Sequence, residues 1–373
     1  MKKYIRLDDY KDKRIYLKVF EVLIKKEDSI DEFFYGHYNI APSSFRKGLK
    51  KDIREETINN LLNLLCDYFK YKVPTNIIID ELEEFINKVY NNIYYQIECD
   101  FEKDLEYIDN LIKERYLIFP ILNLIKILIS ITNIKIKEVL KEREKDFKEL
   151  KKFINYFNDD LMMVFEFIEI SFIEEIDEFI LTNEYKNDIS YFTLSGKCYL
   201  LGKYSNSIDL ALKARNRFFS TMNLKRIIRI NLTLLANYNV LKKYEKALEL
   251  ADQQVSFLES IGFSVDLDEF RETLIEYSIA CIGLGKIEEA YGVVSKIKRL
   301  NLNCITILLI CCFKLNIDCN VINITEMSSS RQNVVGKINN LLQRYLTKKN
   351  KEDAKELNEL NIAKTIKLLI VNL

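Results

Sequence analysis

Apolar residues recur along this chain at three- and four-residue spacing, broken by short polar turns, and that period predicts helices from one end to the other. Ile15 to Ile24 (IYLKVFEVLI) is the first run. Asp28 or Ser29 then caps a second helix, with Asp31 and Glu32 in its first turn, where the macrodipole favours acids, and Ile30, Phe33, Phe34 and His37 along its length. Asn39 lies in the turn that follows; after glycine, asparagine best tolerates left-handed backbone. A third helix opens at Pro42, whose missing N–H has no partner at a first helical position anyway, and Thr57 to Phe69 forms a fourth. Pro74 and Thr75 break the pattern, and from Asn76 helix follows helix.

The third helix carries the sharpest pattern. Steps of about 100° along PSSFRKGLKKDIR place Phe45, Leu49 and Ile53 on one narrow arc, and Arg46, Lys47, Lys50, Lys51 and Arg54 on the broad arc opposite, with Ser43 inside it and Ser44 at its edge. Five basic residues against Asp52 give the stretch a charge of about +4 in a chain whose 56 Lys and Arg balance 56 Asp and Glu. No global field draws this chain to nucleic acid, so a polyanion must be met by a local patch such as this one. Gly48 inside the helix costs about 1 kcal/mol of helix propensity against alanine. The competing reading of such a face is a solvated surface.

The stretch DSIDEFFYGHYNIAPSSFRKGLKK resembles the helix-turn-helix of bacterial repressor-type regulators, in which an acidic and apolar helix, a turn and an Ile-Ala-Pro-Ser-Ser opening precede a basic recognition helix. The resemblance implies a DNA-binding domain over residues 1–73. It also implies that Ser43, Ser44, Arg46, Lys47 and Lys50, with Lys51 and Arg54 beside them, face the major groove and its phosphates.

Further on, three segments align: CYLLGKYSNSIDLALKA from Cys198, NYNVLKKYEKALELADQ from Asn237 and ACIGLGKIEEAYGVVSK from Ala280. Each places a Leu-(Gly/Lys)-Lys-(Tyr/Ile) turn before a small residue, Ser207, Ala247 or Ala290, and a further helix. This is similar to the tetratricopeptide repeat, although the spacing of about 40 exceeds the usual 34 and no proline closes a unit. The implied fold class is all-α, with an N-terminal helix-turn-helix bundle and, over residues 74–373, a tetratricopeptide-like right-handed superhelix of antiparallel helix pairs. On that register the concave wall holds Phe192, Tyr199, Arg229, Asn239, Glu272 and Ile275 as candidate peptide-binding residues. Arg229 suits a carboxylate, and the Asn239 amide can bond a peptide backbone. Helices are expected over Val334 to Leu346 and Asp353 to Val371; Ile362, Ile366, Leu369 and Leu373 describe a capping helix or a dimer seam equally well.

Composition narrows the classes. Only 9 glycines and 3 prolines supply too little turn chemistry for an all-β or βαβ chain. Eight cysteines without a CxxC pair read as reduced, structural thiols and no metal site. The single histidine, His37, lacks the partners of a metal site or catalytic relay and reads as a helix-end packing residue. No nucleotide loop, HExxH or nucleophile elbow occurs, so neither a catalytic residue nor a cofactor is expected. The run Tyr116 to Thr132 carries Pro120, Asn123 and Lys126, falls short of a membrane span and reads as a buried helix. The N-terminus lacks the apolar core of a secretory signal, which leads to a cytoplasmic expectation.

Together the two resemblances make the chain similar to Gram-positive peptide-sensing regulators of the Rgg and PlcR kind and, more loosely, to phage arbitrium receptors. They imply a cytoplasmic homodimer that binds operator DNA, responds to a short signalling peptide and is no enzyme. The rival expectation is a helical-repeat scaffold or inhibitor that binds a protein partner and no DNA.

Overall fold

The computed structural model describes residues 5–39, 41–50, 53–95, 101–132, 140–185, 187–265, 267–317, 329–348 and 351–373. Among them all regular structure is helical, apart from an isolated bridge between Lys72 and Tyr116. The chain divides into two compact units, the first ending at Ser190 and the second beginning at Tyr191.

The first unit contains α1 (Tyr16–Glu27), α2 (Ile30–Tyr38), α3 (Ser43–Leu49), α4 (Glu55–Phe69), α5 (Asn76–Tyr95), α6 (Glu102–Lys113), α7 (Phe119–Thr132), α8 (Leu140–Leu150), α9 (Asp159–Phe172) and the short α10 (Glu178–Thr182). The first four helices are tied into the rest of this unit. Ile5 exchanges two backbone hydrogen bonds with the Asn87 amide of α5, at 2.7 and 2.8 Å. The Tyr10 hydroxyl donates to the Tyr156 carbonyl and accepts from the Asn158 N–H, both at 3.0 Å. The break at Pro74 therefore lies inside a compact unit. α7 is the apolar run of the sequence, and its Ile121, Leu122, Leu124, Ile125 and Leu128 are fully buried; no described helix is long and apolar enough to cross a membrane.

The second unit is entered along α11 (Asp188–Leu200) and continues through α12 (Tyr204–Ser220), α13 (Leu224–Val240), α14 (Tyr244–Ser260), α15 (Asp268–Gly283), α16 (Ile287–Val294), α17 (Leu302–Leu315), α18 (Ser329–Lys348), α19 (Lys351–Glu359) and α20 (Lys364–Asn372). Three of its turns are built alike. Gly202, Lys242 and Gly285 adopt φ of 78°, 56° and 76°, and the next residue's N–H, from Lys203, Lys243 and Lys286, returns 2.8 Å to the carbonyls of Cys198, Tyr238 and Cys281. This closure satisfies carbonyls that a helix end would leave unpaired. Ser207, Ala247 and Ala290 follow each turn and are fully buried, where a larger side chain would hold the two helices apart. α13, α15 and α17 pack side by side, while α12, α14 and α16 pack against them.

One contact of this stack requires glycine. A Cβ on Gly283 would stand 2.5–2.6 Å from three ring atoms of Tyr244, so the aromatic residue that opens α14 lies on the end of α15. Gly283→Ala should therefore lose about 1–3 kcal/mol through overpacking, more than the ~1 kcal/mol that helix propensity returns. In a Tyr244→Ala background the same change should stabilise; denaturation of the single and double variants reads the reversal.

Two expectations are corrected. The helix foreseen over Asp353 to Val371 is two helices, α19 and α20, separated at residues 360–363. The foreseen helical rod of residues 42–54 ends as a helix at Leu49, and Arg54 is extended (φ −70°, ψ 148°) as the residue before α4. The cysteines at 198, 281, 304, 311 and 312 are buried free thiols and Cys66 is half-buried; Cys99 and Cys319 lie outside the described residues.

Candidate nucleic-acid interface and helix-lined groove

α2 begins at Ser29, whose hydroxyl accepts from the Glu32 N–H at 3.2 Å while the Glu32 carboxylate accepts from the Ser29 N–H at 3.3 Å. These bonds hold the Glu32 carboxyl below the usual range. α2 ends at Asn39, which is left-handed (φ 49°, ψ 40°), and Pro42 precedes the first residue of α3. Behind the turn lies an aromatic core: Phe34 stands 5.2 Å from Phe45 of α3, and Phe33 stacks on Phe69 of α4 at 5.6 Å. Gly48 has a packing reason, since a Cβ there would meet Leu17 of α1 at 2.7 Å and Ile53 at 3.1 Å. His37 packs at this edge, its ring 5.1 Å from Phe33 and 4.8 Å from Tyr68.

This packing turns Ser43, Arg46, Lys47 and Lys50 outward; all four are exposed, and Ser44 is half-buried. Arg46 pairs with Asp31 of α2 at 2.5 Å, but both are about half exposed, so the pair is screened and easily exchanged for another anion. Lys47 and Lys50 make no ion pair among the described residues. Lys51 lies outside the described residues, and Arg54, though exposed, stands off α3 on the extended link to α4. The buried side of α3 borders a cleft of about 550 Å³ walled by Asp8, Asp9, Asp12 and Asp159, with Arg14 and Lys18. The acidic wall disfavours phosphate, whereas the Arg46, Lys47 and Lys50 side of α3 favours it.

In the second unit the six candidate groove residues differ in burial. Phe192 packs on Phe218, with the Arg226 guanidinium 4.8 Å above its ring, and Ile275 is fully buried. Arg229 is exposed and pairs with Glu269 at 3.2 Å. Glu272 accepts from Asn301 at 3.2 Å, and burial raises its carboxyl. Asn239 and Tyr199 meet at a residue the sequence reading did not single out, Glu276 of α15. The Asn239 amide donates to its carboxylate at 2.8 Å and to its carbonyl at 2.9 Å, and its charge adds to burial in raising the Tyr199 phenol. Burial pushes the Glu276 carboxyl up to about 7 against the opposing hydrogen bonds from Asn239 and Thr365, with the Glu272 charge adding to the rise. One signal could have found it: Glu269, Glu272 and Glu276 recur at helical spacing on an otherwise largely buried helix.

Thr365 belongs to α20, which packs across α13, α15 and α17. Its hydroxyl donates to the other Glu276 oxygen at 3.0 Å. Lys364 stands 5.1 Å from the Tyr204 ring and 6.0 Å from that of Tyr199, and the Ala363 N–H donates to Asn303 at 2.9 Å. Ile366, Leu369 and Ile370 are buried. The side-chain amide oxygens of Asn231 and Asn239, eight residues apart on α13, are buried without a hydrogen-bond partner among the described residues. Among those residues no cluster of three or more His, Cys, Asp or Glu could hold a metal ion. In comparisons with known proteins no family model matches the chain, and neither a curated protein nor a solved structure is found similar to it.

Proposed function

We propose that the chain is a cytoplasmic, homodimeric, DNA-binding transcriptional regulator whose second unit is a tetratricopeptide-like array that binds a short signalling peptide. The observation that carries this reading is α3: a short helix held from behind by Phe45 and Gly48 after a left-handed Asn39 turn, with Arg46, Lys47 and Lys50 outward. The like-built turns at Gly202, Lys242 and Gly285, each followed by a small buried residue, support the repeat reading. In a dimer, peptide binding would reset the separation of two recognition helices, which must be about 34 Å to read successive major grooves. The reading assigns the chain no catalytic role.

A mixed-sequence DNA duplex is the appropriate probe, because non-specific binding already reports phosphate contacts. Replacing Arg46, Lys47 and Lys50 together by alanine should abolish measurable binding at physiological salt. At low salt, the slope of log affinity against log salt should shrink by about 3, near 0.9 per lost phosphate contact, with helicity unchanged. Equal affinity and slope in the variant would remove DNA from the reading and leave the protein-binding scaffold.

A further inference from the structure

The groove over α13, α15 and α17 already holds a segment with the chemistry of a ligand. α20 is nine residues long, below the ~12–15 at which an isolated helix becomes even marginal in water, so its helicity depends on the surface beneath it. That surface contacts it through a few specific groups: two tyrosine rings beside the Lys364 ammonium, a buried carboxylate under the Thr365 hydroxyl, the Asn303 amide on the Ala363 N–H, and Lys242, which donates to Asn372 at 2.8 Å. Ile366, Leu369 and Ile370 supply the apolar side. Cation over aromatic faces, hydroxyl on carboxylate and aliphatic residues one helical turn apart form an amphipathic helix seated in a groove.

We propose that the seat of α20 is a separable binding site for a short helical peptide bearing a cationic side chain, a neighbouring hydroxyl and an aliphatic face, and that α20 is its resident, displaceable occupant. This deepens the reading of the second unit as a peptide binder and rests on it. Two observations favour exchange. α20 follows α19 through the non-helical residues 360–363, beside which opens a cleft of about 510 Å³ lined by Asn301, Asn303 and Asn361, within the usual size of ligand sites. The Asn239 side-chain oxygen Oδ1, buried in the Glu276 and Thr365 cluster, accepts nothing from α20, so an incoming peptide with one further donor gains a hydrogen bond the resident lacks.

The test uses a chain ending at Ile362 and a fluorescent peptide of residues 363–373, followed by anisotropy. Saturable binding to the shortened chain is expected, about tenfold weaker for peptides carrying Lys364→Ala or Thr365→Val, with no binding to the full chain. A shortened chain that keeps its helicity and ignores the peptide overturns the proposal, as does equal binding by the full chain. Should the shortened chain unfold, a protease site placed within residues 360–363 of the full chain replaces it: the cleaved helix should stay bound and exchange with excess free peptide, and failure to exchange overturns the proposal. Duplex binding by the full chain is scored separately. Lost exchange with intact DNA binding removes only the occupant; intact exchange without DNA binding removes only the regulator.

Discussion

Phe34→Ala should destabilise the first unit by about 3–5 kcal/mol and, on the proposed DNA-binding reading, remove duplex binding with it. Phe34 is fully buried, and its ring lies 5.4 Å from Phe33, 6.5 Å from Tyr38 and 5.2 Å from Phe45, so one side chain joins the second helix, the turn and the cationic helix. Alanine would leave a cavity beside Phe45, and α3, only seven residues long, cannot hold its shape without that contact. Phe34→Leu keeps most of the volume and should lose less than half as much. Tyr35→Ala is the control on the same helix: Tyr35 is 55% exposed, and its loss should stay within about 0.5 kcal/mol. Denaturant midpoints for the three variants, with duplex anisotropy at one salt concentration, give the answer. A Phe34→Ala midpoint no lower than that of Tyr35→Ala would mean that the aromatic core does not position α3.

Local patterns were legible in the sequence where the physics is local. Ser29, Asn39 and the Leu-(Gly/Lys)-Lys turns act through backbone geometry within a few residues, and the structure places a cap, a left-handed turn and three helix ends at those points. Ile53 shows where periodicity misleads. It shares an arc with Phe45 and Leu49 on an ideal helix and does reach the same packing, 3.1 Å from a Cβ on Gly48, but from beyond the end of α3. An apolar residue that returns to the core from a link satisfies the same burial requirement as one on a continued helix, so the pattern could not separate the two. Gly48 likewise looked like a weakness because propensity counts only its own helix, whereas its role is the approach of Leu17 from α1. The seat of α20 was hidden for a third reason. Thr365 and Glu276 are 89 residues apart, and no local pattern pairs a carboxylate on one helix with a hydroxyl on another so distant in the chain. The spacing of Ile366 and Leu369 identified an apolar face without saying what it covers.

Raising the pH through neutrality should weaken the second unit at Glu276. In the folded chain its carboxyl is raised to about 7 by burial, while in the unfolded chain it returns to the ordinary value of 4.5. Between those two values the folded chain keeps a proton that the unfolded chain has released, so stability falls as pH rises through this window and levels off above about 7. The loss amounts to about 3 kcal/mol for this group, which is only 8% exposed. The groups around it come from four helices: Tyr199 of α11, Asn239 of α13, Glu272 on α15 itself and Thr365 of α20. None of them is a cation, so only the Asn239 and Thr365 hydrogen bonds offset the charge once the proton leaves, and burial outweighs them. Glu276→Gln keeps the shape without a charge, its oxygen accepting from Asn239 and its NH2 donating to the Thr365 hydroxyl oxygen; it should match the parent chain near pH 5 and exceed it by about 2–3 kcal/mol at pH 8. The difference between the two denaturation curves across pH 5–8 cancels every other titrating group. Parallel curves would show that the Glu276 carboxylate is as comfortable ionised in the fold as in water. Glu272→Gln removes the neighbouring charge and should move the midpoint of that difference to lower pH, which a desolvated carboxyl without electrostatic coupling to Glu272 would not do.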